Sequence, residues 1–199
     1  KNTELNIIND PAFRTLMVLN LKRKTLRSIE LETLNAAIRG YNKSISIIVG
    51  EGIDTLLPDN PFPVSSHSKM GEDCDLIIVL GGDGSLLGAA RVLAKHSVSV
   101  LGINRGRLGF LTDILPDEIE SRVGAVLDGE YVIDRRSLLS GIVRRNGSVV
   151  GRAEALNDVV VNSGTSAKMI EFDLYIDDEF VYRQRSDGMI VSTPTGSTA

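Results

Sequence analysis

Continuous apolar runs alternate with helical patterns along the first two thirds of the chain. The runs are rich in Leu, Ile and Val, and they cover residues 15–20, 45–49, 76–80 and 98–104. Unbroken apolarity is typical of strands covered by helices on both faces, so each run predicts a buried strand. Between the runs, apolar residues recur every three or four positions, which predicts helices within 26–38, 86–95 and 119–127. This alternation indicates an α/β domain with a mostly parallel sheet.

The second and third runs are separated by the stretch "PDNPFPVSSHSKM", residues 58–70. Three prolines and several serines are typical of a loop, so we expect no regular element there.

The hydrophobic pattern changes after about residue 131. Asn146-Gly147 is a strong hairpin-turn dipeptide between two strand-like runs. From Ile170 to Ile176 apolar and polar residues alternate, and Asp177-Asp178 then offers a turn. This pattern predicts a mainly antiparallel β domain over 131–199, after an α/β domain over 1–130. Because roughly 70 residues are few for a β domain with a full core, we expect that domain to be incomplete in this chain.

Composition narrows the classes of function. The chain of 199 residues carries a net charge of -4, one cysteine and two histidines. These counts argue against an internal disulfide, a zinc cluster and a nucleic-acid footprint. No residues are predicted to form a metal site. No stretch approaches the roughly 20 apolar residues of a membrane helix, and no signal peptide is evident at the start. We therefore expect a cytoplasmic protein with a small-molecule partner and no membrane or nucleic-acid partner.

The apolar run 76–80 leads directly into Gly-Gly-Asp-Gly, residues 81–84. Glycines at a strand end let backbone N–H groups converge on a ligand, and a helix expected to begin near Ser85 adds its positive end, so phosphate is the expected ligand. The Walker loop and the dinucleotide fingerprint both differ from this turn. Asp83 has two open interpretations: it caps its own helix, or it meets a metal ion or accepts a hydroxyl proton.

Further polar clusters follow other predicted strands, in "GINRGRLGFLTD" (102–113), "ALNDVVVNSG" (155–164) and "RSDGMIVSTPTGSTA" (185–199). The first lies at a carboxyl end, where open α/β sheets bind ligands. Phe110 and Leu111 are interpreted either as adenine contacts or as core residues. Three arginines are interpreted either as phosphate contacts or as solvated side chains, namely Arg91, Arg105 and Arg107.

These motifs, in this order and spacing, closely resemble the NAD kinase family. "GGDG" alone also occurs in 6-phosphofructokinases and in diacylglycerol and sphingosine kinases, whereas "SDGMIVSTPTGSTA" is the specific element. The resemblance covers residues from about 76 to the end. It implies an α/β domain followed by a β domain, and ATP-dependent phosphorylation of the adenosine-ribose 2′-hydroxyl of NAD, with Mg²⁺ or another divalent metal accompanying ATP. It also implies a homodimer or homotetramer.

The resemblance implies roles for individual residues. Asp83 would be the catalytic residue that accepts the 2′-hydroxyl proton, with Gly84 beside the ligand. The other positions implied to contact NAD are Asn157, Asp158, Lys168, Arg185, Asp187, Thr198 and Ala199.

Three features depart from the family pattern. Asp158 stands where the family usually has Glu, which shortens its reach. "NLKRKTLRS" replaces a glycine-rich turn after the first strand, which leaves Lys22, Arg23 or Lys24 as alternative ATP contacts. The family motif continues with Tyr, whereas this chain ends at Ala199. The alternatives are a diacylglycerol-type lipid kinase and a nucleotide-binding module without catalysis.

Overall fold

The computed structural model describes residues 4–5, 15–19, 33–34, 36, 38, 45–51, 61–96, 98–105, 109–112, 114–164 and 168–198. The chain divides into two compact units, residues 1–138 and 139–199. The candidate ATP contacts Lys22, Arg23 and Lys24 lie outside the described residues, as do Arg107 and Ala199.

A five-stranded parallel sheet forms the centre of the first unit. The strands of this unit are β1 (Glu4–Leu5), β2 (Thr15–Leu19), β3 (Ser46–Gly50), β4 (Val64–Ser65), β5 (Leu76–Leu80), β6 (Ser99–Ile103) and β7 (Arg136–Ser137). The sheet has the order β4-β3-β2-β5-β6, and each of its pairings is parallel. The short strands β1 and β7 pair with each other in antiparallel orientation. The predicted parallel sheet is therefore confirmed, with four predicted strands in place.

Three helices with defined bounds accompany the sheet: α1 (His67–Asp73), α2 (Asp83–Leu93) and α3 (Ile119–Leu127). The predictions of α2 and α3 are confirmed. Four positions of the predicted helix 26–38 are helical, namely 33, 34, 36 and 38, and the others lie outside the described residues. None of the described helices is long and apolar enough to cross a membrane.

The prediction of a loop over 58–70 is wrong from Val64 onward, where β4 and α1 form. Proline removes a backbone donor but keeps its carbonyl, so it is tolerated at the edge of a sheet. Here the carbonyl of Pro63 accepts a hydrogen bond of 2.9 Å from the Val49 N–H. In α1, Met70 is fully buried, which ties this segment to the core.

Strand β5 is buried on both faces, and its side chains alternate between two core clusters. Leu76, Ile78 and Leu80 pack into one cluster with α3. Ile77 and Val79 pack into the other with α1 and α2. Burial on both sides explains why this strand is a continuous apolar run, and it fixes the position of the strand end that carries Gly81.

The second unit consists of antiparallel pairs. Its strands are β8 (Leu139–Arg145), β9 (Ser148–Ala155), β10 (Asp158–Asn162), β11 (Ile170–Ile176), β12 (Glu179–Ser186) and β13 (Gly188–Ser192). They pair as β8 with β9, β10 with β13, and β11 with β12. Asn146 and Gly147 have φ of 50° and 79°, and Asp177 and Asp178 have φ of 51° and 67°. The left-handed backbone suits two-residue hairpins, so both predicted turns are confirmed.

Many apolar side chains of the second unit are exposed, including Val160, Val161 and Ile190. Among the residues described from 139 onward, only Leu156 and Thr193 are buried. Both lie beside the motifs singled out in the sequence.

Candidate functional site

The glycine turn lies at the carboxyl end of β5, next to the position where the sheet order changes direction between β2 and β5. This is where open α/β sheets bind ligands. The Gly81 N–H donates 2.8 Å to the Ile103 carbonyl, which fastens the turn to β6. Gly82 and Gly84 are exposed, and a Cβ added at Gly82 would meet no atom within 4 Å. The turn therefore presents open backbone at the start of α2.

Asp83 is the first residue of α2, and its carboxylate reaches across to the loop that follows β6. Gly82 occupies the N-cap position, without a side-chain cap. The Asp83 carboxylate instead accepts hydrogen bonds from the Phe110 N–H at 2.9 Å, the Leu111 N–H at 3.1 Å and the Thr112 hydroxyl at 3.0 Å. The helix-cap interpretation of Asp83 is therefore wrong. Its carboxylate joins two strand ends of the sheet.

The three hydrogen bonds divide unequally between the two carboxylate oxygens. Oδ1 accepts from Leu111 and Thr112, whereas Oδ2 accepts from Phe110 alone. An ionised carboxylate offers about two acceptor positions on each oxygen. Within the described residues, one position therefore remains on Oδ2 after these hydrogen bonds are counted.

The loop over 109–112 is held closely against β6. Asn104 is 3% exposed, and its Nδ2 donates to both the carbonyl and the hydroxyl of Thr112, at 3.0 and 3.1 Å. A Cβ on Gly102 would lie 2.7 Å from Cγ2 of Thr112, and one on Gly109 would collide with the Asp83 carboxylate. Glycine is thus required at both close approaches, because any side chain would push the loop away.

The structure distinguishes between the interpretations given to the other candidate contact residues of this unit. Phe110 is 81% exposed, so the core interpretation is wrong for it, whereas Leu111 packs against the core cluster beneath α2. Arg91 lies in the last turn of α2, about 12 Å along the helix from the glycine turn, so its backbone does not belong to that turn. Arg105 directly follows Asn104 at the same sheet edge and stays a candidate.

In the second unit, the two motifs around Asn157 and Thr193 meet. The Thr193 N–H donates 2.7 Å to the Asn157 carbonyl, and the Thr193 hydroxyl donates 2.6 Å to the Leu156 carbonyl. A Cβ on Gly196 would collide with the Asn157 backbone. Thr198 belongs to the short 3₁₀ turn Gly196–Thr198. The Oδ1 atom of Asn157 is buried and has no hydrogen-bond partner among the described residues, so the site leaves an acceptor open.

The other predicted contacts of this unit form two groups at opposite ends of the β10–β13 pair. Asp158 pairs with Ser192 at the Asn157 end, and Asn162 pairs with Gly188, next to Asp187, at the other. Lys168 lies two residues before Ile170, whose register partner Ser186 stands between Arg185 and Asp187. The ends are about 13 Å apart along the strands. Lys168, Arg185 and Asp187 are exposed, and this unit does not bring them to Asn157.

Sequence reasoning missed the residues that hold these groups in place. Asn104, Thr112 and Thr193 are all buried polar side chains. The first two were visible inside "GINRGRLGFLTD" as polar residues beside an apolar strand, but their bonding could not be inferred from spacing. The described residues contain no cluster of three or more His, Cys, Asp or Glu side chains arranged to hold a metal ion.

Comparison with known domain families matches two parts of the chain, which together contain 156 of its 199 residues. Residues 20–131 match the ATP-NAD kinase N-terminal domain, and residues 156–199 match the ATP-NAD kinase C-terminal domain. The chain belongs to the NAD kinase family. The expected family and the expected order of an α/β part followed by a β part are therefore confirmed.

The chain is also similar in sequence to individual NAD kinases. The chain is 61% identical over 159 residues to a protein of Alcanivorax borkumensis named NAD kinase, covering 80% of this chain and 53% of that one. It is 58% identical over 158 residues to an Azotobacter vinelandii NAD kinase, covering 79% and 54%. The chain thus spans about half the length of the curated relatives it matches.

A solved structure shares the fold. A yeast NADH kinase, crystallised with NADH, superposes with a TM-score of 0.75 at 23% identity and covers 94% of this chain and 59% of its own. The NAD kinase fold therefore extends over nearly all of the chain.

Proposed function

We propose that the protein is an ATP-dependent NAD kinase, which transfers the γ-phosphate of ATP to the adenosine-ribose 2′-hydroxyl of NAD and so makes NADP. The observation that carries this proposal is the Asp83 carboxylate. It is held at the open start of α2 by three hydrogen bonds, which leave one acceptor position on Oδ2 among the described residues. Family membership supplies the substrates.

In the proposed reaction, the 2′-oxygen attacks the γ-phosphorus as the bond to the bridging oxygen of ADP breaks. The hydroxyl proton passes to Oδ2 of Asp83, and ADP leaves with the electron pair of the broken bond. Phosphoryl transfer depends mainly on positioning and on neutralising charge, so a weak base suffices if its oxygen is well placed. The exposed backbone of Gly82 and Gly84 at the α2 N-terminus offers donors for phosphate oxygens.

We propose NAD contacts from Gly84, from the group around Asn157 and from the group around Asp187. The buried open acceptor of Asn157 suits a ligand hydroxyl or amide donor. Asp158 and Thr198 belong with Asn157, whereas Lys168 and Arg185 belong with Asp187. The proposal for Ala199 rests on motif position alone.

The divalent metal, the cellular location and the oligomeric state belong to the same proposal. Mg²⁺ or another divalent metal enters as the metal complex of ATP, in which it neutralises phosphate charge. The protein acts in the cytoplasm, where its two substrates are available. It assembles as a homodimer or homotetramer, which is supported by the exposed apolar strands of the second unit. Native mass spectrometry measures that assembly directly.

The test incubates the protein with NAD, ATP and Mg²⁺ and measures NADP with an NADP-specific dehydrogenase. We expect NADP from the unchanged protein and a loss of turnover by orders of magnitude in Asp83→Asn, with NAD binding kept within a few fold. Asp117→Asn is the matched control, since Asp117 is an exposed aspartate in the turn before α3.

Each other outcome contradicts part of the proposal. Binding of NAD without any NADP would favour a nucleotide-binding module. Failure to bind NAD, with phosphorylation of diacylglycerol instead, would favour a lipid kinase. Near-normal turnover in Asp83→Asn would remove Asp83 from the mechanism.

A further inference from the structure

We propose that Thr112, oriented by Asn104, is a positioning residue that fixes which oxygen of the Asp83 carboxylate receives the substrate proton. This inference rests on the proposed function, since it concerns the reaction assigned to Asp83. It concerns side chains that do not themselves reach the ligand, because Thr112 is fully buried and Asn104 is 3% exposed.

The direction of the Thr112 hydroxyl is fixed by its two neighbours. The amide nitrogen of Asn104 is only a donor, so at 3.1 Å the hydroxyl oxygen must accept from it. The ionised Asp83 carboxylate is only an acceptor, so at 3.0 Å the hydroxyl hydrogen must point to Oδ1. The hydroxyl therefore has one orientation, in which it delivers its hydrogen to a single carboxylate oxygen.

The consequence is a division of roles between the two oxygens. Oδ1 has both of its acceptor positions filled, by the Thr112 hydroxyl and the Leu111 N–H. Oδ2 receives the Phe110 N–H and, in the part of the chain that the structure describes, keeps one position. Without the Thr112 hydroxyl, Oδ1 would also present an open position, and only the Phe110 and Leu111 N–H groups would restrain the rotation of the carboxylate about the bond to Cβ. Oδ1 thus anchors the carboxylate, and Oδ2 takes the proton.

The environment of Thr112 makes this restraint stiff. Its carbonyl accepts from Asn104 Nδ2 at 3.0 Å, and its methyl group lies over Gly102 of β6. The Asn104 N–H is itself bonded to the Ile114 carbonyl at 2.8 Å. The position of the hydroxyl is therefore set by contacts with the sheet rather than by the exposed part of the loop. A positioning group requires such rigid support.

A pair of substitutions separates the hydroxyl from the shape of the side chain. Thr112→Val keeps the branched shape and removes the hydroxyl, whereas Thr112→Ser keeps the hydroxyl and removes the methyl group. In the NADP assay we expect Thr112→Val to lower kcat about 10- to 100-fold with little change in the KM for NAD. We expect Thr112→Ser to stay within about threefold of the unchanged protein, because its hydroxyl restores the bond to Oδ1. If Thr112→Val does not fold, Thr112→Ala removes the same hydroxyl.

A double-mutant cycle tests whether Thr112 acts through Asp83. In an Asp83→Asn background, the hydroxyl no longer positions a base, so Thr112→Val should cause no further loss of kcat. A full additional loss there would overturn the proposal, as would unchanged kcat in Thr112→Val or an equal loss in Thr112→Ser.

Amide hydrogen exchange gives a readout that does not depend on activity. Thr112→Val should speed exchange of the Phe110 and Leu111 N–H groups, because both donate to the carboxylate that the hydroxyl restrains. If the unchanged protein makes no NADP, the proposed function fails, and the exchange data still decide the part of this inference in which the Thr112 hydroxyl restrains the Asp83 carboxylate. Exchange equal to that of the unchanged protein would overturn it.

Discussion

Gly109→Ala should break the link between Asp83 and the loop after β6. A Cβ at this position would lie 2.7 Å from Cγ and 2.9 Å from Oδ2 of Asp83, in closer contact still with Oδ1. Ordinary van der Waals contact begins near 3.4 Å, so the carboxylate and the loop must separate by about 0.7 Å or more. The buried Asn104 and Thr112 resist movement on one side, and α2 resists it on the other.

The size of the effect follows from the hydrogen bonds that are lost. The three bonds to Asp83 measure 2.9, 3.0 and 3.1 Å, and a shift of about 0.7 Å takes each past the useful range of hydrogen bonding. A bond of this kind contributes about 1 kcal/mol net, less where water replaces it, as it does at the exposed Phe110 N–H. We therefore expect the free energy of unfolding of the first unit to fall by about 2–3 kcal/mol. We also expect kcat to fall by at least about tenfold, because the carboxylate loses its placement.

Urea denaturation gives the free energy of unfolding, and the NADP assay gives kcat. Gly141→Ala is the control, since a Cβ there meets its neighbours at ordinary distances of 3.6 Å and more. If Gly109→Ala is as stable and as active as this control, the Asp83 carboxylate does not lie over Gly109 in the working protein.

Four further predictions address other parts of the chain. Ile78→Ala should lower the free energy of unfolding by about 3–4 kcal/mol in urea, because Ile78 is fully buried in β5; a loss below about 1 kcal/mol would contradict that burial. Gly196→Ala should weaken NAD binding by calorimetry at least about tenfold, because its Cβ displaces the Asn157 backbone; unchanged affinity would remove this turn from the site. Burial, assisted by Asp73 and Asp75, raises the pKa of Cys74 to about 12, so a disulfide reagent at neutral pH should react far faster in urea than with the folded protein; equal rates would show an accessible thiol. The two-pronged hydrogen bond from Arg183 holds the pKa of Asp173 below its ordinary value; NMR titration should show it rising in Arg183→Gln. The stability from this pair is present above the ordinary carboxyl pKa and is lost as pH falls through the lowered one, so stability that is insensitive to Arg183→Gln at every pH would contradict it.

The elements that the sequence predicted best are those whose pattern reports burial directly. The run 76–80 is β5 residue for residue, because burial on both faces requires an apolar side chain at every position. Asn146-Gly147 was equally reliable, because few residues accept left-handed backbone at two adjacent positions. The segment from Val64 to Met70 was missed, since prolines signal a break without showing that a sheet edge can accept their carbonyls.

The motifs that contribute to the candidate site were visible in the sequence, whereas the hydrogen bonds within it were not. Motif resemblance pointed to Asp83, and the geometry of its strand end pointed to phosphate. Nothing in the spacing of Asp83 and Thr112, 29 positions apart, indicates a hydrogen bond between them. That bond depends on β5 and β6 being neighbours in register, from Leu76 opposite Ser99 to Leu80 opposite Ile103. Which strands pair is a property of the tertiary structure, and it cannot be read from the spacing of residues in one sequence.

The arrangement around Asp83 resolves an apparent conflict between anchoring and catalysis. A carboxylate without hydrogen bonds must be ordered during the reaction, whereas one with every acceptor position filled has none left for a substrate hydroxyl. In phosphoryl transfer the placement of the attacking oxygen matters more than the strength of the base, because the proton leaves late. The described donors, all from one loop, fill both acceptor positions of Oδ1 and leave a position on Oδ2. They therefore hold the carboxylate in one orientation and still leave it able to accept a hydrogen bond from the proposed substrate.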